Sequence, residues 1–197
     1  DTWFTSGLCG TGSHDIEVHD LLVPRAFSVS PATEPARLKS PLYAFPFFGL
    51  LALGIAAVTL GIARSAADEF ARVAAEKTPF GAKKPLASRP AVQTQLAEIE
   101  AILRSARAFF YDAVGAASRS AASTGEVTLK QRAELRLAAC HATTSAARAV
   151  DIAYGGAGAS SIYSASPLQR HFRDVHVATQ HVMVSPTLHE LAGRRAD

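Results

Sequence analysis

The chain predicts a mainly α-helical fold: an antiparallel four-helix bundle preceded by the tail of a β-region. Three observations carry this reading. From residue 42 onward, apolar residues recur in steps of three and four. Caps and breakers cut that stretch into four runs. Ahead of it, a Pro- and Ser-rich stretch sets off a segment whose apolar residues alternate instead.

From Trp3 to Pro24, Gly and Ser turns give way to alternation, with Ile16 and Val18 set against Asp15, Glu17 and His19. That is strand periodicity, so residues 1–30 read as the end of a β-domain. With no initiator Met before Asp1, the chain reads as a fragment whose front is missing. Residues 31–41 form the linker, where Pro31, Pro35 and Pro41 interrupt regular structure. The helical bundle then occupies 42–197. Its first helix runs from about Leu42 to Glu76 and stops before Pro79 and Gly81. The second starts near Pro90, with Val92, Leu96, Ile99, Leu103, Ala106, Phe110 and Val114 on one face. A third follows the cap Thr128 and ends at Gly155-Gly156. The fourth has Ser166 as N-cap and Pro167 at its first position, with Leu168, Phe172, Val175, Thr179 and Val182 along one side.

A length of 197 residues and 48% apolar composition suffice for a packed core, so disorder is not expected. The net charge of +3 is scattered, with no basic run to suggest nucleic acid, and a small or anionic ligand fits better. The two cysteines, Cys9 and Cys140, lie in unlike segments, which argues against a disulfide framework and for a reducing cytoplasm. Leu42 to Ala63 carries no charge and could span a bilayer. Its Pro and Gly content, and the helical pattern continuing past Arg64 and Asp68, point instead to a helix buried on nearly all sides, with no membrane.

Seven histidines invite a metal hypothesis. His171, His176 and His181 are spaced so that successive side chains turn by about 140° on a helix, unlike ligands that share a face. No metal site is expected. The segment Gly155 to Ser161 lets the backbone approach a ligand closely, although a plain C-cap accounts for its composition as well. The fourth run is dense in polar groups, and at a separation of seven Asp174 and His181 share a helical face. Imidazole is the common acid or base near neutral pH, so His181 is the catalytic candidate. A surface helix would carry similar charges. Neither a serine elbow, a P-loop nor a dinucleotide-binding glycine motif occurs in its required context, which excludes hydrolase and kinase readings.

The turn Gly7-Leu8-Cys9-Gly10-Thr11-Gly12-Ser13, then Leu22-Val23-Pro24, Thr78-Pro79-Phe80-Gly81, Tyr154-Gly155-Gly156 and Arg173-Asp174, occur in the order found in acyl-CoA dehydrogenase-like proteins. The resemblance spans nearly the whole chain and matches that superfamily's C-terminal portion. Ser166-Pro167-Leu168-Gln169-Arg170, Phe172-Arg173-Asp174 and His181 resemble its two-component flavin-dependent monooxygenases, which hydroxylate aromatic and related compounds. The usual dehydrogenase glutamate has no counterpart in Gln180-His181-Val182-Met183, although some dehydrogenases keep their base on another helix. An acyl-CoA dehydrogenase or a non-catalytic assembly domain are the alternatives.

The resemblance implies reduced FMN or FAD supplied by a separate flavin reductase, O2 and a small aromatic substrate. It implies that His181 deprotonates the substrate or assists oxygen transfer. Lys77, Phe80, Gly155, Gly156, Gly158, Ser160 and Ser161 match flavin-contacting positions, often shared across a subunit boundary. Lys77 stands where the family commonly has Arg, which keeps the charge but loses the bidentate fork. Trp3, Thr11 and Ser13 would lie on the flavin or substrate side. It also implies a homotetramer packed through its bundles, which would cover the uncharged first helix.

Overall fold

A computed structural model describes residues 1–31 and 33–185. Four helices dominate: α1 (Phe47–Glu76), α2 (Pro90–Thr124), α3 (Leu129–Ala157) and α4 (Pro167–Thr179). Each boundary has a local cause. Ser40 caps a short 3-10 turn at Pro41–Ala44, and Pro46 restrains the chain ahead of α1. The first helix therefore starts at Phe47 rather than near Leu42. Gly125 closes α2 in the left-handed conformation, which glycine adopts without steric cost. Thr128 and Gln131 form a reciprocal capping box on α3. Ser166 and Pro167 open α4 as expected.

Two buried clusters set the topology. One joins the second half of α1 (Ala63 to Ala74), the start of α2 (Val92 to Leu103), the end of α3 (Ala146 to Ala157) and Leu168 and Val175 of α4. The other joins the first half of α1, the end of α2 (Phe110 to Ala121) and the start of α3 (Leu135 to Ala142), with Val184. Successive helices therefore run antiparallel, and α3 packs against all three others. Alanine dominates the α1–α3 seam, with Ala56, Ala63, Ala66, Ala142, Ala146 and Ala153 essentially inaccessible. Between the clusters, Thr59 donates to the carbonyl of Ala56 and sits 3.4 Å from the hydroxyl of Thr143, which donates to Ala139. Both buried hydroxyls are thus satisfied.

Four sequence expectations are corrected. The alternation near Ile16 and Leu22 forms no strand; among the described residues there is none. A strand needs a ladder partner, and this segment has none beside it, leaving those side chains 90% and 92% exposed. Helix α3 runs through Gly155 and Gly156 to Ala157 instead of ending there. A Cβ at Gly156 would collide with the Phe70 ring, so this glycine is demanded by packing between helices rather than by a turn. Helix α4 ends at Thr179, ahead of His181 and Val182. Finally, α1 is long and apolar enough by composition to cross a membrane, with a mean hydropathy of 1.9, yet only 33% of its most apolar window is buried. It is buried on one side and open on another, with Phe47, Phe48, Leu51 and Val58 exposed. The last twelve positions of the expected bundle, 186–197, lie outside the described residues.

Candidate active site

At the open end of α1 a cleft of about 780 Å³ forms between three segments. Helix α1 contributes Gly54, Ile55 and Val58, and the end of α4 with its following turn contributes Val177, Ala178, Gln180 and His181. The third wall is the N-terminal segment, with Trp3, Thr5, Ser6, Leu8, Thr11 and Ser13. An apolar floor with a few hydroxyls and one imidazole is the makeup of a small-molecule site. Trp3, Thr11, Ser13 and His181, far apart in sequence, thus come together.

His181 owes its place to the way α4 ends. Its backbone N–H donates to the carbonyl of Ala178, and its Nδ1 accepts the N–H of Met183 at 3.1 Å. An Nδ1 that accepts cannot carry the proton of the neutral ring, so the proton sits on Nε2. The ring is therefore set up to donate at Nε2. The helical pairing with Asp174 does not form: α4 has ended, and Asp174 accepts from the amide of Leu8 instead.

The expected cofactor residues gather at the other end of α1. Lys77 and Ser160 share a recess of about 380 Å³ with Glu69, Arg72, Tyr163 and Ser166. The Lys77 ammonium donates to the carbonyl of Ala157 at 2.9 Å, neutralising the last turn of α3. The Ser161 hydroxyl is turned inward onto the carbonyl of Gly158. Gly156 is filled by Phe70, whereas a Cβ at Gly155 or Gly158 would meet nothing. Phe80 is fully exposed. Arg72 lies between Glu69 and Glu76, and its guanidinium holds the Glu69 carboxyl below the usual range. Val58 in the cleft and Val73 in the recess are fifteen residues apart on one helix, a separation of about 22 Å. One chain does not bring the two groups onto one small ring.

Among the described residues no three His, Cys, Asp or Glu side chains cluster as metal ligands do. Of the other histidines, His176 meets Asp151 at 2.8 Å between α4 and α3. His171, missed as a structural residue because nothing local distinguishes it, is buried against Ser65 of α1 at 3.1 Å. Burial pushes its pKa down, and Arg170 adds to that shift.

The chain is similar to known proteins along nearly its whole length. An indole-3-acetate monooxygenase of Pseudomonas putida is 36% identical over 193 residues, covering 98% of this chain and 49% of that protein. The HsaA monooxygenase of M. tuberculosis superposes with a TM-score of 0.86 at 25% identity, over 100% of this chain and 53% of that one. XiaF of Streptomyces, solved with FADH2 and glycerol, gives 0.86 at 26% identity over 98% and 51%. The chain spans about half the length of the curated relatives it matches. Residues 53–186 match the family described as acyl-CoA dehydrogenase, C-terminal domain, and the chain belongs to that family.

Proposed function

We propose that this domain serves the oxygenase component of a two-component flavin-dependent monooxygenase, which uses reduced FMN or FAD and O2 to hydroxylate a small aromatic substrate. The observation that carries the reading is the cleft, which joins an indole, hydroxyls and an imidazole over the apolar floor of α1. The name of the Pseudomonas putida relative makes indole-3-acetate the first substrate to try.

The residues fit a flavin. Lys77 and Ser160 offer a cation and a hydroxyl, Phe80 offers an uncovered ring, and Gly155 and Gly158 leave room for close approach. Gly156 and Ser161 support the loop from inside. The separation along α1 supports a reading in which these groups serve the cleft of another copy, in a homotetramer with shared sites. When bound, reduced flavin supplies the electrons and activates O2. Ile55, Val58 and Val177 give the cleft an apolar wall against which an aromatic ring can pack. His181 holds a proton on Nε2 for the oxygen that the substrate gains or bears, the donor role rather than the base role. A separate flavin reductase is the partner, and the exposed free thiol of Cys9 suits a reducing cytoplasm.

The test supplies the full-length protein with reduced flavin, ¹⁸O2 and indole-3-acetate. Hydroxylated product carrying the label is expected. Bleaching of bound oxidised flavin by an acyl-CoA, with no labelled product, would establish a dehydrogenase instead. His181→Ala should keep flavin binding and lower product formation by about 10²- to 10⁴-fold. His181→Gln, which retains an N–H donor, should keep more activity than Ala; equal loss in both variants would restore the base role.

A further inference from the structure

The cleft wall facing α1 is not a helix but the segment from Trp3 to Ser13, and two consecutive side chains of α4 seat it on the bundle. Asp174 Oδ1 accepts the Leu8 N–H at 2.7 Å, and Arg173 Nη1 donates to the carbonyl of Ser6 at 2.8 Å. Between them lies Gly7, where a Cβ would collide with the Arg173 carbonyl, so the segment meets the helix backbone directly.

Leu8 is held in the left-handed conformation with φ 51°, uncommon for a residue with a branched side chain and stable only where the surroundings over-determine it. Its hydrogen bonds do so. While the amide is fixed by Asp174, the carbonyl accepts from Trp3 Nε1 at 3.1 Å, from the Thr11 N–H at 3.1 Å and from Thr11 Oγ1 at 2.9 Å. Ser13 Oγ in turn donates to Thr11 Oγ1 at 3.1 Å. Trp3, Leu8, Thr11 and Ser13 all line the cleft, so a single backbone unit sets the pose of an indole and two hydroxyls, and that unit hangs on one carboxylate.

We infer that Asp174 is a positioning residue for the binding cleft: through the Leu8 amide it holds the Trp3 indole and the Thr11 and Ser13 hydroxyls in place for a planar aromatic ligand. The ligand class rests on the proposed function; the anchor does not. Carboxylate acceptors make the stronger class of hydrogen bond.

The experiment compares Asp174→Ala, Asp174→Asn and Gly7→Ala in the full-length protein. Three quantities are read: amide exchange at Leu8 and Thr11, binding of indole-3-acetate to flavin-free protein by equilibrium dialysis, and the split between KM and kcat. Asp174→Ala should speed exchange and weaken binding about tenfold, the loss expected for one hydrogen bond to a charged group, with kcat little changed. Asp174→Asn keeps an Oδ1 acceptor and should recover most of the binding. Gly7→Ala wedges the seat against the Arg173 carbonyl and the Asp174 backbone nitrogen while keeping the Asp174 carboxylate, and should reproduce the loss. Exchange at Leu8 that is unchanged in Asp174→Ala overturns the anchor. So does equal loss of binding in Ala and Asn with equal lowering of Tm, which is a purely structural role. If wild-type protein binds no indole-3-acetate while exchange still depends on Asp174, the aromatic ligand is overturned and the anchor stands.

Discussion

The two halves of α1 differ in composition and in burial, and in opposite senses: Phe47 to Val58 carries no charge and is the open half, whereas Leu60 to Ala74 carries Arg64, Asp68, Glu69 and Arg72 and covers its large apolar side chains. From Leu60 to Ala74 the large apolar side chains are covered: Phe70 is fully buried, its ring over Gly156 and clustered with Ile99, Val150, Leu168 and Val175. From Phe47 to Val58 only one side is covered, by Ala117, Leu135 and Ala139 among others, while Phe47, Phe48, Leu51 and Val58 remain in contact with solvent. Hydrophobicity along a helix therefore does not say how much of it a single chain buries. The sealed half is held by its own bundle; the open half has apolar surface left uncovered, which the proposed ligand and tetramer would use.

The largest expected effect lies at the sealed half. Phe70→Ala should cost about 3–5 kcal/mol, because the ring fills the space that Gly156 vacates. Denaturant unfolding checks this, and a loss below ~1 kcal/mol would mean that this half is as loosely packed as the other. At the open half, Phe48→Glu should change stability by less than ~0.5 kcal/mol while weakening the proposed tetramer, measured by sedimentation velocity. An unaltered assembly would remove this face from the interface.

The smallest effect follows pH through His171, at the sealed half beside Ser65. Burial holds its folded pKa below the ordinary 6.5, so the unfolded chain takes up a proton first. The stability from keeping it neutral is present above pH 6.5 and is lost as pH falls from there towards the folded pKa. His171→Gln should flatten that part of the stability profile, read from urea midpoints on either side of 6.5. Glu69 and Asp174 face the same imidazole, and a slope identical to wild type would show that His171 does not set the dependence.

Much of the bundle was legible because its signals are local. Thr128 with Gln131, Ser166 with Pro167, and the three-four repeat of α2 each lie within a few turns, and each matches the element observed. Errors arose where the deciding contact is distant. Gly155-Gly156 read as a helix end because Phe70, the reason for Gly156, is 86 positions away. The alternation around Ile16 is a true strand pattern with nothing beside it to pair with. The cleft was only half legible: His181 stood out by its chemistry and by resemblance, Trp3, Thr11 and Ser13 by resemblance alone, and no local spacing could have joined Leu8 to Asp174. Ile55 and Val58 went unnoticed as site residues because on an apolar helix they look like core.

The alanine seam between α1 and α3 has one more consequence, for variation rather than stability. Ala56, Ala66, Ala142 and Ala153 are inaccessible, so a larger side chain there must displace the facing helix, and glycine in their place would loosen the helix by roughly 1 kcal/mol. In a saturation library these positions would tolerate almost nothing. They would score as harshly as the proposed catalytic His181 while lining no cleft, so an intolerance map of this domain would trace the line where two helices touch before it traced the cleft.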